Sequence, residues 1–225
     1  MSERPILTMR RARQLETVHR AITMGLAAAA SHLSAFVGKE IIIEAPRLGL
    51  CAVEQLVECA LGSAFDLAPE RDAESVMTGI YLGVTGDVEG HFLMLLSPDD
   101  ARALVAPLIA ELDPPAEKRE ELIHSAQGEV GNITASGLLN ALADATKLRI
   151  SPSCPAVVTD MAGAILEMPL LDIAQIADEA LYIETSITMD TFATTGALAL
   201  IPRPEGLDAL IRGLTAAEAR EGKRK

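Results

Sequence analysis

The chain has 225 residues, 49% hydrophobic but only 3% aromatic and without tryptophan, and a formal net charge of −13. That length holds one large domain or two fused halves of about a hundred residues each, with an aliphatic core. The charge excludes a nucleic-acid surface, which needs a basic footprint. No apolar run reaches the roughly 18 residues of a membrane span, the start MSERPILTMRRARQ lacks signal-peptide order, and Cys51, Cys59 and Cys154 lack metal-ligand spacing, so reduced thiols in a cytoplasmic protein are expected.

Residues 1–9 read as a short arm. A helical pattern follows from about Met9, alanine-rich in its second half, with Gly38 as its stop. EIIIEAP (40–46) is β-branched and ends in proline, the pattern of a strand. VEQLVECALGS (53–63) reads as a short helix. MTGIYLGV and HFLMLLS flank Gly86-Asp87-Val88-Glu89-Gly90 and form a hairpin; the glycines lie between strands, so they make a turn and not a phosphate loop. PDDARALVAPLIAEL (98–112) is a helix with Asp99 and Asp100 at its start. Asp113-Pro114-Pro115 breaks it and marks the best boundary in the chain.

The same order then returns. A long helix runs from about Ala116 to Lys147, LRISPSCP reads as a strand closed by Pro155, and MAGAILEMPLLDIAQIADE is partly helical. ALYIETSIT and TTGALALIP read as strands and PEGLDALIRGLTAAEAREG as a last helix. A shift of 109 positions lays Glu16 on Ser125, Arg20 on Glu129, Thr23 on Asn132, Leu33 on Leu142, Ile41 on Ile150 and Pro46 on Pro155. GHFLMLLSP and GALALIPRP also align, from Gly90 and Gly196. A duplicated unit accounts for all of this. The expected fold is α+β, with pseudo-twofold halves (10–112 and 116–215) sharing one mainly antiparallel sheet covered by helices, in a single compact unit.

The chemistry concentrates in the second long helix. Ser125, Glu129, Asn132 and Ser136 fall at i, i+4, i+7 and i+11, which places them on one polar face. Ile123, Ala126, Val130, Ile133, Gly137 and Ala141 turn toward the core. Gly128, Gly131 and Ala135 are expected beside Asn132 on the surface, where their small size would let a partner come close. A carboxylate can act as a base, accept from Lys or Arg, or bind metal. A carboxamide does not titrate and offers one donor group and one acceptor, which suits it to orienting a water. The chain has two asparagines, Asn132 and Asn140, and a mid-helix asparagine is a poor helix former. No nucleophilic triad or metal cage is evident around the pair, so a partner would have to complete the machinery. His19, His32, His91 and His124 are dispersed and read as structural, and Cys154 reads as a small, at least half-buried thiol.

Ser125-x3-Glu129-x2-Asn132-x22-Pro155 matches without a gap the signature of the CheC, CheX and FliY chemotaxis phosphatases. GNITASGLLNAL and VTDMAGAILEMPL resemble the CheC version, and with the repeat the resemblance spans about residues 10 to 215. It implies hydrolysis of the aspartyl phosphate on a CheY-type receiver. Asn132 would orient the attacking water, and Glu129 would pair with a receiver lysine. Ser125 and Pro155 would support the motif. No cofactor or metal of the chain's own is implied, because Mg2+ belongs to the receiver. CheC proteins commonly carry two sites, but here Arg20 and Thr23 replace the first glutamate and asparagine, so one working site is expected. No FliY-type motor-binding extension is expected at this length. The other reading is a non-catalytic adaptor that binds a receiver or the receptor deamidase CheD.

Overall fold

Local chemistry explains most element ends. The computed structural model describes residues 4–52, 73–173, 179–189 and 192–221. Helix α1 spans Arg4–Val37, so the expected arm at 1–9 is helical from Arg4 onward. Pro5 does not prevent this, because the first turn needs no N–H from it. Helix α2, Pro98–Leu112, starts with the Ser97 hydroxyl accepting from the Asp100 amide and carries Asp99 and Asp100 in its first turn. It stops where Asp113 turns left-handed, at φ 41°. Helix α3, Ala116–Thr146, ends at Lys147, also left-handed, whose N–H donates to the Ala143 carbonyl. The other helices are α4, Ala162–Ile173, and α5, Pro204–Glu221. The helix expected over 53–63 lies outside the described residues.

Among the described residues seven strands form one antiparallel sheet: β1 (Ile41–Ala52), β2 (Val76–Gly86), β3 (Gly90–Leu96), β4 (Ile150–Pro152), β5 (Ala156–Met161), β6 (Glu179–Met189) and β7 (Phe192–Pro202). Their order is β1-β6-β7-β3-β2-β4, with β5 also on β2. Exchanging the halves of the chain maps this order onto itself, which is the pseudo-twofold. Neither half closes its own sheet: β1 pairs with β6, and β4 and β5 pair with β2. The expected hairpin is present, and its turn is pinned by the Asp87 carboxylate, which accepts from the Arg149 backbone N–H at 2.9 Å and its guanidinium at 2.9 Å.

Both prolines that were expected to end strands do something else. β1 continues through Pro46 to Ala52, and its pairing slips between Glu44 and Arg47, where three steps along β1 face two along β6. The second half repeats this. Val84 opposes Pro152 and Tyr81 opposes Ala156, so one extra residue sits in the 153–155 segment before the strand resumes as β5. A bulge leaves one residue outside the ladder, which is where a residue lacking an N–H costs no hydrogen bond.

One face of the sheet carries the large core. Ile80, Leu82, Phe92, Met94 and Leu198 meet Ile22, Leu26 and Leu33 of α1, Leu104 and Val105 of α2, and Val130, Leu138 and Leu142 of α3. On the other face α4 lays Ile165 over Gly79. The two long helices lie backbone against backbone at Gly25 and Gly137: a β-carbon on Gly25 would lie 2.8 Å from the Gly137 carbonyl oxygen and 2.9 Å from the Leu138 Cα.

Candidate active site

The expected polar face of α3 is present. Ser125 and Glu129 are exposed and Asn132 and Ser136 are half-buried, whereas Ala126, Val130 and Gly137 are buried. The small residues are placed differently from expectation. Gly128, Gly131 and Ala135 are all buried and face the sheet. A β-carbon on Gly131 would collide with Ile80 Cγ2, and one on Gly128 would meet Pro155 Cγ at 3.4 Å and Val157 Cγ2 at 3.6 Å. Their smallness seats α3 tightly on β2 and on the bulge rather than admitting a partner. Two glycines on the underside thereby hold Glu129 and Asn132 at a set height above the sheet, and Pro155 is part of that seat.

Asn132 Nδ2 donates to Glu129 Oε2 at 3.4 Å, a long bond between neighbours one turn apart. Among the described residues neither side chain makes another hydrogen bond, and no group of three His, Cys, Asp or Glu side chains gathers as a metal cage. The pair can therefore present an amide and a carboxylate outward on a rigid helix. Asn132 also stands in the wall of a cleft of about 830 Å³ between α1 and α3, lined in addition by Leu214 and Ala217 of α5.

Arg20 and Thr23, the counterparts of the pair in the first half, are exposed on α1, and Arg20 lines the same cleft as Asn132. His19 and His124 each make one structural contact, His19 Nε2 with the Ala45 carbonyl and His124 Nε2 with the Val157 carbonyl, both at 3.2 Å. Cys154 is exposed, contrary to expectation, because it sits in the bulge at the sheet edge. Cys59 lies outside the described residues.

One cluster escaped sequence reading. On the sheet face under α4, the Tyr81 hydroxyl meets His91 Nδ1 at 2.7 Å, His91 Nε2 meets Asp172 Oδ2 at 2.9 Å, and Arg203 donates to the same oxygen at 2.8 Å. The hairpin register, with Gly83 opposite His91, puts Tyr81 on the diagonal from His91 and was the one signal available. Asp172 arrives only by tertiary packing of α4. The cluster ties the end of α4 to the sheet and to the residue before α5.

The His91 hydrogen bond, then Arg203, hold the Asp172 carboxyl below its ordinary range, while burial and the charge of Asp172 push the Tyr81 hydroxyl up. A depressed carboxylate stabilises the fold above its unfolded pKa, and that contribution is lost as pH falls through the folded value. The melting temperature of the wild type should therefore fall more steeply below about pH 4 than that of Asp172→Asn. Melts followed by circular dichroism between neutral and pH 3 measure this; parallel curves would show that Asp172 carries no such linkage.

A helix-covered antiparallel sheet with internal twofold symmetry carries the Glu–Asn pair on one of its two long helices, and known proteins resemble the chain in sequence and in fold. Residues 122–159, which contain Ser125, Glu129, Asn132 and Pro155, match the CheC-like family. The chain is 29% identical over 176 residues to the CheY-P phosphatase CheC of Bacillus subtilis (strain 168), covering 77% of this chain and 79% of that one. Thermotoga maritima FliY superimposes with a TM-score of 0.68 at 14% identity, covering 96% of this chain and 100% of FliY. The FliM middle domain from H. pylori gives 0.57 at 8% identity, covering 89% and 98%. The chain thus resembles the CheC-like family in its sequence signature, and FliY and the FliM middle domain in its fold. Among the described residues no helix is long and apolar enough to cross a membrane.

Proposed function

We propose that this protein is a cytoplasmic phosphatase acting on the aspartyl phosphate of a CheY-type receiver in chemotaxis. The observation that carries the reading is the Glu129–Asn132 pair, at the family spacing, bonded among the described residues only to itself and presented from a helix locked onto the sheet. In this reading Glu129 accepts from a lysine of the receiver and so sets the depth at which α3 docks. Asn132 then holds a water in line with the phosphorus, its amide both donating and accepting as orientation requires. Phosphoryl transfer asks for positioning and charge stabilisation more than for covalent chemistry, so two side chains can suffice. The receiver brings the Mg2+ that offsets phosphoryl charge, and this chain supplies no metal of its own. A single site works, since Arg20 would repel the lysine that Glu129 attracts and Thr23 is too short to reach as Asn132 does.

The second reading is an adaptor on the same fold, binding a receiver or CheD without catalysis. It is supported by the fold shared with FliM middle domains, one of them solved in a FliG–FliM complex at a TM-score of 0.59. The test that separates the two is the decay rate of phosphorylated receiver with and without the protein, repeated with Asn132→Ala. Binding without faster decay selects the adaptor.

A further inference from the structure

The cleft extends well beyond Asn132. Along α3 it is walled by Asn132, Ser136, Asn140 and Asp144, each four residues from the next, which is one face of the helix. Along α1 the facing wall is Arg20, Met24, Ala28 and His32 at the same spacing. The floor between them is Ala21, Gly137, Ala141 and Ala145, so the groove is shallow in side chain and close to both backbones. The two asparagines of the chain both line it. Met24, which lines the cleft, is 67% exposed, the largest value among the exposed large hydrophobic residues described.

Several features tell against an idle seam. An exposed methionine is a flexible apolar side chain that adapts to a partner surface. Among the described residues the charged side chains along the cleft are Arg20, which has a partner of its own, Lys147 and Asp144. The cleft is continuous with the candidate site, because Asn132 belongs to both.

We propose that the receiver docks across both long helices. α1, which lacks the Glu–Asn pair, supplies half of the recognition surface for the site on α3, with Met24 as the apolar contact and Asn140 as a polar one. The proposal rests on the receiver-phosphatase reading and adds to it which residues select the partner. It explains why α1 has an open face of its own at the cleft although Arg20 and Thr23 cannot perform the chemistry. Met24 and Asn140 are positioning residues here; neither touches the phosphoryl group.

The test uses the full chain and a receiver loaded with beryllofluoride as a stable aspartyl-phosphate mimic. Affinity is measured calorimetrically for the wild type, Met24→Glu and Asn140→Ala, and kcat and KM are measured on the phosphorylated receiver. Both substitutions fall on exposed positions and should leave the melting temperature in place. Met24→Glu is expected to weaken binding about tenfold and Asn140→Ala a few-fold, raising KM while kcat at saturation stays at the wild-type value. Wild-type affinity in both variants overturns the proposal, as does a wild type that binds no loaded receiver. A variant that changes self-association by sedimentation while receiver affinity holds assigns the cleft to a second copy and likewise overturns it. Binding that weakens as expected in a protein with no hydrolytic activity sustains the cleft and sinks the phosphatase reading alone.

Discussion

Replacing Asn132 with alanine is expected to abolish most of the accelerated decay of receiver phosphate, by roughly a hundredfold or more in kcat, with receiver affinity little changed. The magnitude follows from the role. A group that fixes a water within reach of phosphorus removes orientational freedom from the transition state, and losing such a positioning group or a single polar stabiliser costs on the order of 10²–10³ in rate. The fold should not register the change. Asn132 is only half-buried, its bond to Glu129 is 3.4 Å long, and alanine is the better helix former by a few tenths of a kcal/mol or more. Thermal melts should therefore coincide or move slightly upward, which separates chemistry from stability. Asn132→Asp is the stricter control, since it keeps the shape but adds a negative charge facing an anionic phosphoryl group. Undiminished decay with Asn132→Ala would remove the proposed mechanism.

The largest stability effect is expected at Gly25→Leu. The gain in helix propensity on replacing a mid-helix glycine is up to about 1 kcal/mol. Against it stands the backbone contact of the two long helices. The new Cβ would be 2.8 Å from the Gly137 oxygen and 2.9 Å from both Leu138 Cα and Ala141 Cβ. Two of these are backbone atoms, which cannot rotate aside, so α1 and α3 must separate along their shared core. Overpacking costs typically about 1–3 kcal/mol, and the rigid neighbours place this case at the upper end. A net loss of about 2 kcal/mol would lower the melting temperature by roughly 4–8 °C in a chain of this size. Because the cleft lies over the same seam, receiver affinity should drop as well. An unchanged melting temperature would mean that the helices part without cost at this point.

Much of this molecule was legible from side-chain periodicity. The polar stripe on α3, the acidic start of α2, the break at Asp113 and the β2–β3 hairpin follow from patterns of 3.6 and 2 residues and from caps that act within a few positions. The duplication was legible too, as a shift that superposes Pro46 on Pro155, and it anticipated a sheet that maps onto itself when the halves are exchanged. The misreadings share one cause. Proline cannot donate to a ladder, so Pro46 and Pro155 have the look of strand ends in sequence, but only a partner strand shows that each lies at an extra residue in a bulge. Gly128 and Gly131 suggest an approach path for a partner in sequence, although the helix underside they occupy is decided by β2 and the bulge beneath.

What the sequence by itself determined, then, is the repeat, the helix–strand order of the second half and the spacing of Ser125, Glu129, Asn132 and Pro155, since these depend on separations along the chain. The tertiary structure alone decided which faces meet: the glycine seat under the Glu–Asn pair, the Tyr81–His91–Asp172–Arg203 cluster, and the cleft that Arg20 shares with Asn132. Those depend on distances across elements far apart in sequence, where a β-carbon more or less sets how closely two helices, or a helix and a sheet, can pack.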